Sequence, residues 1–471
     1  MKIHAASGGR VRKLAISFLL LIFLPAVLLA VKSKTHFLQR AFGEIRGTPA
    51  NLVVILTESN APPDYPWTNF AQGGEEAGGM LTSVAGQLSR LSPTYIRLDH
   101  IYDFYDVVSR DPAGKVVYDW RKFDSELLII KNMGAKPFLS LSYMPSALSG
   151  GSEIDLPVSW EEWKDLVKET IEHVSGNEEL AISDVYYEVW NEPDLFGNFR
   201  MKGVKSYPTL YRFAALGALA AKDTLPFKIG GPATTSLYKS WFVDFLDFVG
   251  KNNLRLDFYS WHKYSPKIAD FEEDVLRAKE WLVNYPEFSD LELIISESGF
   301  TSEVDEGYDS YFSAIHTIAV STALYGNVSK VFLFEIKDGP GAQKYWGRWG
   351  ILTHEKFGIP EAKPRFAAVE FLNEARGNRY LTLGQGSFVK AFASEAGGVV
   401  RTLIVNYDPF AKHIENVPLT FVNIPYREFI FKRRDFLGGI KEDRVSIEGA
   451  EFTTRVLMPP NSASIFEIAP I

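Results

Sequence analysis

Apolar residues along this chain fall into two alternating rhythms. Short runs rich in Val, Ile, Leu and aromatics, bounded by Gly, Pro or charge, occupy 52–56, 95–98, 137–141, 185–189, 228–230, 256–260, 293–295 and 331–334. Continuous apolar runs of this kind read as strands buried on both faces. Between them the period lengthens to that of a helix: 160–173 carries Trp163, Leu166, Val167 and Ile171 on one side, and 309–324 carries Phe312, Ile315, Ile318 and Ala319. Repeated strand-helix units predict an α/β fold, a parallel (β/α)8 TIM barrel over residues 51–378. The competing open doubly wound sheet needs a Gly-rich phosphate turn. Here Gly230-Gly231 runs straight into Pro232.

Past 364–375, which reads as the last barrel helix, long helical periods stop. Alternating runs at 388–393, 399–405, 417–422, 428–432, 452–456 and 462–468 predict a β-sandwich domain over 379–471. At the other end Lys2, Arg10, Arg12 and Lys13 precede an uninterrupted apolar run at 14–31, and Lys32 and Lys34 follow it. Eighteen such residues just span a bilayer, so 1–34 is expected to be an N-terminal transmembrane signal-anchor, 35–50 a tether, and the catalytic part membrane-anchored and extracytoplasmic. Secretion after signal cleavage at Ala30 is the alternative; Leu28 suits the small-residue cleavage pattern poorly.

A net charge of −8 removes any whole-molecule attraction to nucleic acid, and the one basic run, Lys432-Arg433-Arg434, sits among strand residues as a solvated face. The absence of cysteine excludes disulfides, thiolate metal sites and a Cys nucleophile. No cofactor motif appears, and a metal site is not expected: His100 and His262 belong to different strands and no His-Glu-x-x-His helix exists.

The candidate chemistry gathers where strands end. Tyr186-Tyr187-Glu188-Val189-Trp190-Asn191-Glu192-Pro193 is an apolar strand closed by an amide, a carboxylate and a proline, which places Glu192 at a rim. Leu293-Ile294-Ile295-Ser296-Glu297 repeats the arrangement. Paired carboxylates suggest glycoside hydrolysis, in which one protonates the leaving oxygen and the other attacks the anomeric carbon or activates water. Other strands end in Arg97-Leu98-Asp99-His100, in Ser142-Tyr143-Met144-Pro145 and in Trp261-His262-Lys263-Tyr264. In a barrel these ends converge on one face. Tyr143, Trp261, Trp346 and Trp349 are aromatic candidates for stacking on sugar faces, or for capping the barrel. Glu335 reads either as a ligand for sugar hydroxyls or as an ion-pair partner for Arg97 or Lys337.

Together the run 136–148, the Trp190 to Pro193 motif, Gly230-Gly231-Pro232-Ala233-Thr234, the segment 257–264 and Gly350-Ile351-Leu352-Thr353 resemble glycoside hydrolase family 39, a family that includes β-xylosidases, α-L-iduronidases and exopolysaccharide hydrolases. The resemblance implies that Glu192 is the acid/base, Glu297 the nucleophile and Asn191 the amide that holds the sugar 2-hydroxyl. It matches His262 and Tyr264 to groups beside the nucleophile, and Arg97 and His100 to positions framing the pocket. Two departures bear on the substrate: Ser298 stands where the family has an aromatic after the nucleophile, and Phe334-Glu335 where it commonly has a Trp. The implied activity is retaining hydrolysis of an oligo- or polysaccharide, xylosidase-like or endo-acting. A non-catalytic glycan-binding barrel is the alternative.

Overall fold

The computed structural model describes residues 47–471 apart from Glu75. The expected membrane segment lies outside these residues. Among the described residues no helix is long and apolar enough to cross a membrane.

Eight parallel strands close a barrel: β2 (Asn69–Gln72), β3 (Tyr95–Leu98), β6 (Lys136–Ser140), β7 (Val185–Glu188), β8 (Phe227–Thr234), β9 (Phe258–Tyr264), β10 (Glu292–Gly299) and β11 (Lys330–Phe334), with β11 returning to β2. A two-stranded hairpin, β4 (Val108–Arg110) and β5 (Val116–Tyr118), is inserted after β3. Helices cover the barrel in the places their periodicity indicates. Trp160–Ser175 begins at Ser159, whose side chain accepts the Glu162 N–H, and carries Glu161 and Glu162 in its first turn, favourable at the positive end of the helix dipole. Some contacts tolerate no side chain at all: a Cβ on Gly230 of β8 would lie 2.2 Å from the Phe258 carbonyl oxygen.

One strand is not where the apolar pattern puts it. The 52–56 run forms β1 (Leu52–Asn60), which leaves the barrel and pairs antiparallel with β12 (Asn378–Leu383) and parallel with β15 (Glu415–Val422). Its burial alternates, with Leu52, Val54 and Leu56 buried and Val53 and Ile55 half-buried, as suits a strand with one fully covered face. The true first barrel strand, β2, is buried at all four positions. It escaped notice because Asn69 and Gln72 interrupt its apolar character. The second domain therefore consists of β1 together with the chain from β12 onward.

That domain is one nine-stranded sheet, in the order β17-β16-β19-β14-β13-β12-β1-β15-β18, with β13 (Val389–Ala396), β14 (Val399–Asn406), β16 (Glu428–Asp435), β17 (Ile440–Ser446), β18 (Glu451–Met458) and β19 (Ser462–Pro470). It rolls over until Phe431 of β16 meets Phe452 of β18, ring centroids 5.0 Å apart. Ala391, Ile404 and Phe466 fill the roll. Residues one step along, Phe392, Leu403 and Ile465, join the barrel core instead. Phe392 stacks on Trp67 at 5.6 Å. The helix Tyr311–Leu324 is buried on every side because the barrel covers one flank and this sheet the other.

Candidate active site

Strand alternation sorts the inward side chains into layers. Tyr95, Phe138, Tyr186, Phe258, Ile294 and Phe332 fill the lower barrel. Two residues further along, the lining turns polar, with Arg97, Ser140, Glu188 and Ser260 all buried. A further step reaches Asp99, Ser142 and His262 at the mouth. Trp261 is offset by one residue and packs in the outer core near Tyr259, centroids 6.3 Å apart, so it does not reach a sugar.

Two local irregularities bring the paired carboxylates inward. In strict alternation Ile294 and Ser296 would face the barrel axis and Glu297 the helices. The register of β10 shifts between Ile295 and Glu297 against β9, and between Ile295 and Ser298 against β11, and this bulge re-aims Glu297. Beyond β7, Trp190 and Glu192 both take positive φ, 75° and 43°, turning the Glu192 carboxylate toward His262 ahead of Pro193.

Arg97 is the hub beneath them. Fully buried, it donates from Nε to Glu188 at 2.8 Å, from Nη1 to Glu297 at 2.8 Å and from Nη2 to the Asn191 side-chain oxygen Oδ1 at 2.7 Å. The Asn191 amide donates in turn to Tyr143 Oη at 2.8 Å, and the Tyr264 hydroxyl donates to Glu297 Oε2 at 2.9 Å. His262 Nδ1 lies 2.9 Å from Glu192 Oε1 and 3.4 Å from Glu297 Oε2. One oxygen of each carboxylate and a His262 nitrogen all fall within 4.8 Å of one another.

Electrostatics follow from this packing. Burial raises the Glu297 pKa, and the opposing pull of His262 and Arg97 leaves the net direction upward. Burial works against a charged His262, yet Glu297 and Glu192 outweigh it and raise its pKa. Burial, reinforced by Glu297, lifts the Tyr264 phenol far above its ordinary range, so it stays a donor. His100 lies at the rim, its Nδ1 2.7 Å from Asp103 and its ring 4.5 Å from that of Tyr143. Its pKa rises because Asp99 and Asp103 overcome the effect of burial.

The structure thus joins Arg97, Asn191, Glu192, Glu297, His262, Tyr264 and Tyr143 in one network, with His100 against Tyr143. Glu335 sits at the end of β11, fully buried, and accepts from Gln72 Nε2 at 3.1 Å. Neither of the cations considered for it is directed there: Lys337 meets Glu76 and Glu355, and Arg97 is engaged as described. Trp349 packs on Phe334 at 5.3 Å, and the Arg348 guanidinium covers it at 3.6 Å. Glu188 and Gln72 are members that reading the sequence missed. A carboxylate inside the apolar strand Tyr186-Tyr187-Glu188-Val189 demands a buried partner, and that signal was available.

Among the described residues two clusters bring together donor atoms of the kind that hold metals. At Glu192, His262 and Glu297 the Arg97 guanidinium and the upward-shifted imidazole already supply positive charge. At Glu76, His354 and Glu355 the Lys337 ammonium bridges the carboxylates, and His354 Nδ1 accepts the Lys356 N–H, leaving its Nε2 protonated toward Glu76. Neither donor set suits a cation.

The sequence model for glycosyl hydrolases family 39 matches residues 89–382. A β-xylosidase of Caldicellulosiruptor saccharolyticus is 28% identical over 319 residues, covering 60% of this chain and 62% of that protein. One of Geobacillus stearothermophilus is 25% identical over 303 residues, covering 57% and 58%. The match therefore spans less than two thirds of either relative. Among solved structures, the GH39 enzyme from Xanthomonas axonopodis pv. citri superposes with a TM-score of 0.72 at 20% identity, over 91% of this chain and 99% of that one. At that identity the likeness speaks for the fold.

Proposed function

Because this chain belongs to glycosyl hydrolase family 39, we propose that it is a glycoside hydrolase that cleaves with retention, with a xyloside-type neutral sugar as the first substrate to test. The observation that carries the reading is the approach of Glu192 and Glu297 to within 4.8 Å around one imidazole nitrogen. Carboxyl groups about 5 Å apart leave no room for a water between nucleophile and sugar, which is the retaining arrangement.

In the proposed first step a Glu297 oxygen bonds to the anomeric carbon while the bond to the leaving oxygen breaks and Glu192 donates its proton there. Arg97 and Tyr264 orient Glu297 and favour its anionic form. Esterification then removes the negative charge from Glu297. In the second step Glu192 takes a proton from water as the water oxygen attacks the anomeric carbon and releases Glu297. His262 spans both stages because it touches both carboxylates. The Asn191 amide has two hydrogens; one goes to Tyr143, and the other is assigned to the sugar 2-hydroxyl, a contact that strengthens as charge develops.

Export with residues 14–31 as an anchor belongs to the proposal on the strength of the sequence, and membrane fractionation of the full chain tests it. For the chemistry, the soluble part is incubated with activated 2-deoxy-2-fluoro glycosides and its peptides are weighed. A sugar ester on Glu297 is the expected product. An adduct elsewhere, or glycan binding with no adduct and no turnover, would replace the enzyme by the binding-protein reading.

A further inference from the structure

Asp99 is a further carboxylate of the pocket, and the hydrogen-bond network above does not use it. Tyr95 and Arg97 point into the barrel, and Asp99 continues the same face one layer nearer the mouth. Only 5% of its surface is exposed, and its Oδ1 is buried with no hydrogen-bond partner among the described residues. An orphaned acceptor in the interior is costly unless something satisfies it. Its electrostatic neighbours are His100, Arg97, Asp103 and His262, and its charge is felt in turn at Glu297 and Tyr143. Among the described residues no structural partner claims it: Arg97 donates to Glu188, Glu297 and Asn191, and His100 turns its Nδ1 to Asp103.

We propose that Asp99 is a specificity-determining residue of this site: it accepts a hydrogen bond from a hydroxyl of the reacting sugar and turns away sugars that carry a carboxylate. This rests on the glycosidase reading and deepens it by naming the substrate class, neutral glycosides in preference to uronides. The charges around Asp99 agree. Asp99, Asp103, Glu188 and Glu297 lie about the pocket beside the proton donor Glu192, the buried guanidinium among them is committed to its three partners, and the imidazoles of His100 and His262 face Asp103 and Glu192. A uronate would enter a region already rich in anions, whereas a hydroxyl brings the donor that Asp99 Oδ1 lacks. Burial raises the Asp99 pKa, the direction expected of a group still waiting for a donor.

The test separates binding from turnover by using Glu297→Gln as background, which removes the nucleophile so that intact glycosides can be titrated calorimetrically. The probes are 4-nitrophenyl β-D-xyloside, its 3-deoxy and 4-deoxy analogues, and the matched β-D-glucoside and β-D-glucuronide. Adding Asp99→Ala should weaken the parent xyloside at least tenfold, yet change affinity no more than twofold for the one analogue missing the contacted hydroxyl. The glucuronide should bind at least tenfold more weakly than the glucoside, and Asp99→Asn should narrow that gap. Equal weakening of every probe would mean that Asp99 only supports the fold and would overturn the proposal, as would no weakening at all. If the pattern appears but the unmodified protein turns nothing over, the contact stands and the hydrolase reading fails. Failure to bind any probe overturns both.

Discussion

Replacing Arg97 by Met separates what this guanidinium does for the fold from what it does for chemistry. Arg97 is completely buried and lies 2.8 Å from each of two carboxylates, Glu188 with no exposed side-chain surface and Glu297 with 8%. Removing one partner of a buried ion pair strands the other charge and costs about 3–5 kcal/mol. Here two carboxylates are stranded, so Arg97→Met is expected at the upper end of that range. Exchanging Glu188 for Met as well replaces one of the two pairs by apolar volume, and the double variant should recover at least about 2 kcal/mol relative to Arg97→Met alone. Turnover should not recover with it, because Glu297 still lacks its clamp. A charge-assisted hydrogen bond contributes about 1.5–3 kcal/mol, equivalent to a roughly 10- to 150-fold loss in kcat/KM in both variants. The checks are urea unfolding midpoints and initial rates on an activated aryl glycoside. If the double variant is no more stable than the single one, Glu188 is not held as a buried anion. If it regains activity, Arg97 acts only through stability.

Three further outcomes are expected. Tyr264→Phe deletes the O–H that donates to Glu297 Oε2 at 2.9 Å, so kcat should fall roughly 10- to 150-fold, with KM little changed, and single-turnover kinetics should locate the loss in the first step. His262 is raised above its ordinary 6.5 by Glu297 and Glu192 against the effect of burial, so its contribution to stability is fully present below pH 6.5 and is lost as pH climbs through the higher folded value. The stability gap between the native protein and His262→Asn, measured by denaturation across pH, should therefore shrink upward from pH 6.5. A gap that widens with pH would refute the charged imidazole. His316 has the opposite sign: buried, with Nε2–H donating to the Ser265 carbonyl at 2.9 Å, it is pushed down to about 3. Below pH 6.5 the unfolded chain takes up a proton that the folded one refuses, so stability should decline by up to about 1.4 kcal/mol per pH unit, and His316→Asn should flatten that acid limb.

Much of the site is legible in residue order, because strand ends converge in a barrel whatever the loops between them do. Arg97, Asn191, Glu192, His262, Tyr264 and Glu297 are each marked by polarity at the close of an apolar run. Trp261 shows where that reasoning stops, since being next to His262 in a strand means facing the other way. Glu297 shows the converse, for only the bulge in β10 brings it to the inner face, and bulges leave little trace in a β-branched run. The exchange of β1 for β2 has a similar cause. Leu52-Val53-Val54-Ile55-Leu56 has far stronger strand propensity than Asn69-Phe70-Ala71-Gln72, but the closed barrel buries the weaker sequence completely and leaves the stronger one in a position where only one of its faces is fully covered.

The position of β1 also governs the order in which the protein can be made. Of the described strands this one leaves the ribosome first, yet its neighbours β12 and β15 lie roughly 300 residues or more downstream. At synthesis rates of about 5–20 residues per second, a nine-residue strand that opens with five consecutive apolar residues waits on the order of tens of seconds with neither edge paired. The barrel can complete itself meanwhile, but the second domain cannot start from its own contiguous sequence, because its sheet is interrupted where the earliest strand belongs. Severing the chain between the barrel and the final sheet would therefore leave the latter with a gap near its middle, and newly made chains would depend on that first strand staying clear of one another.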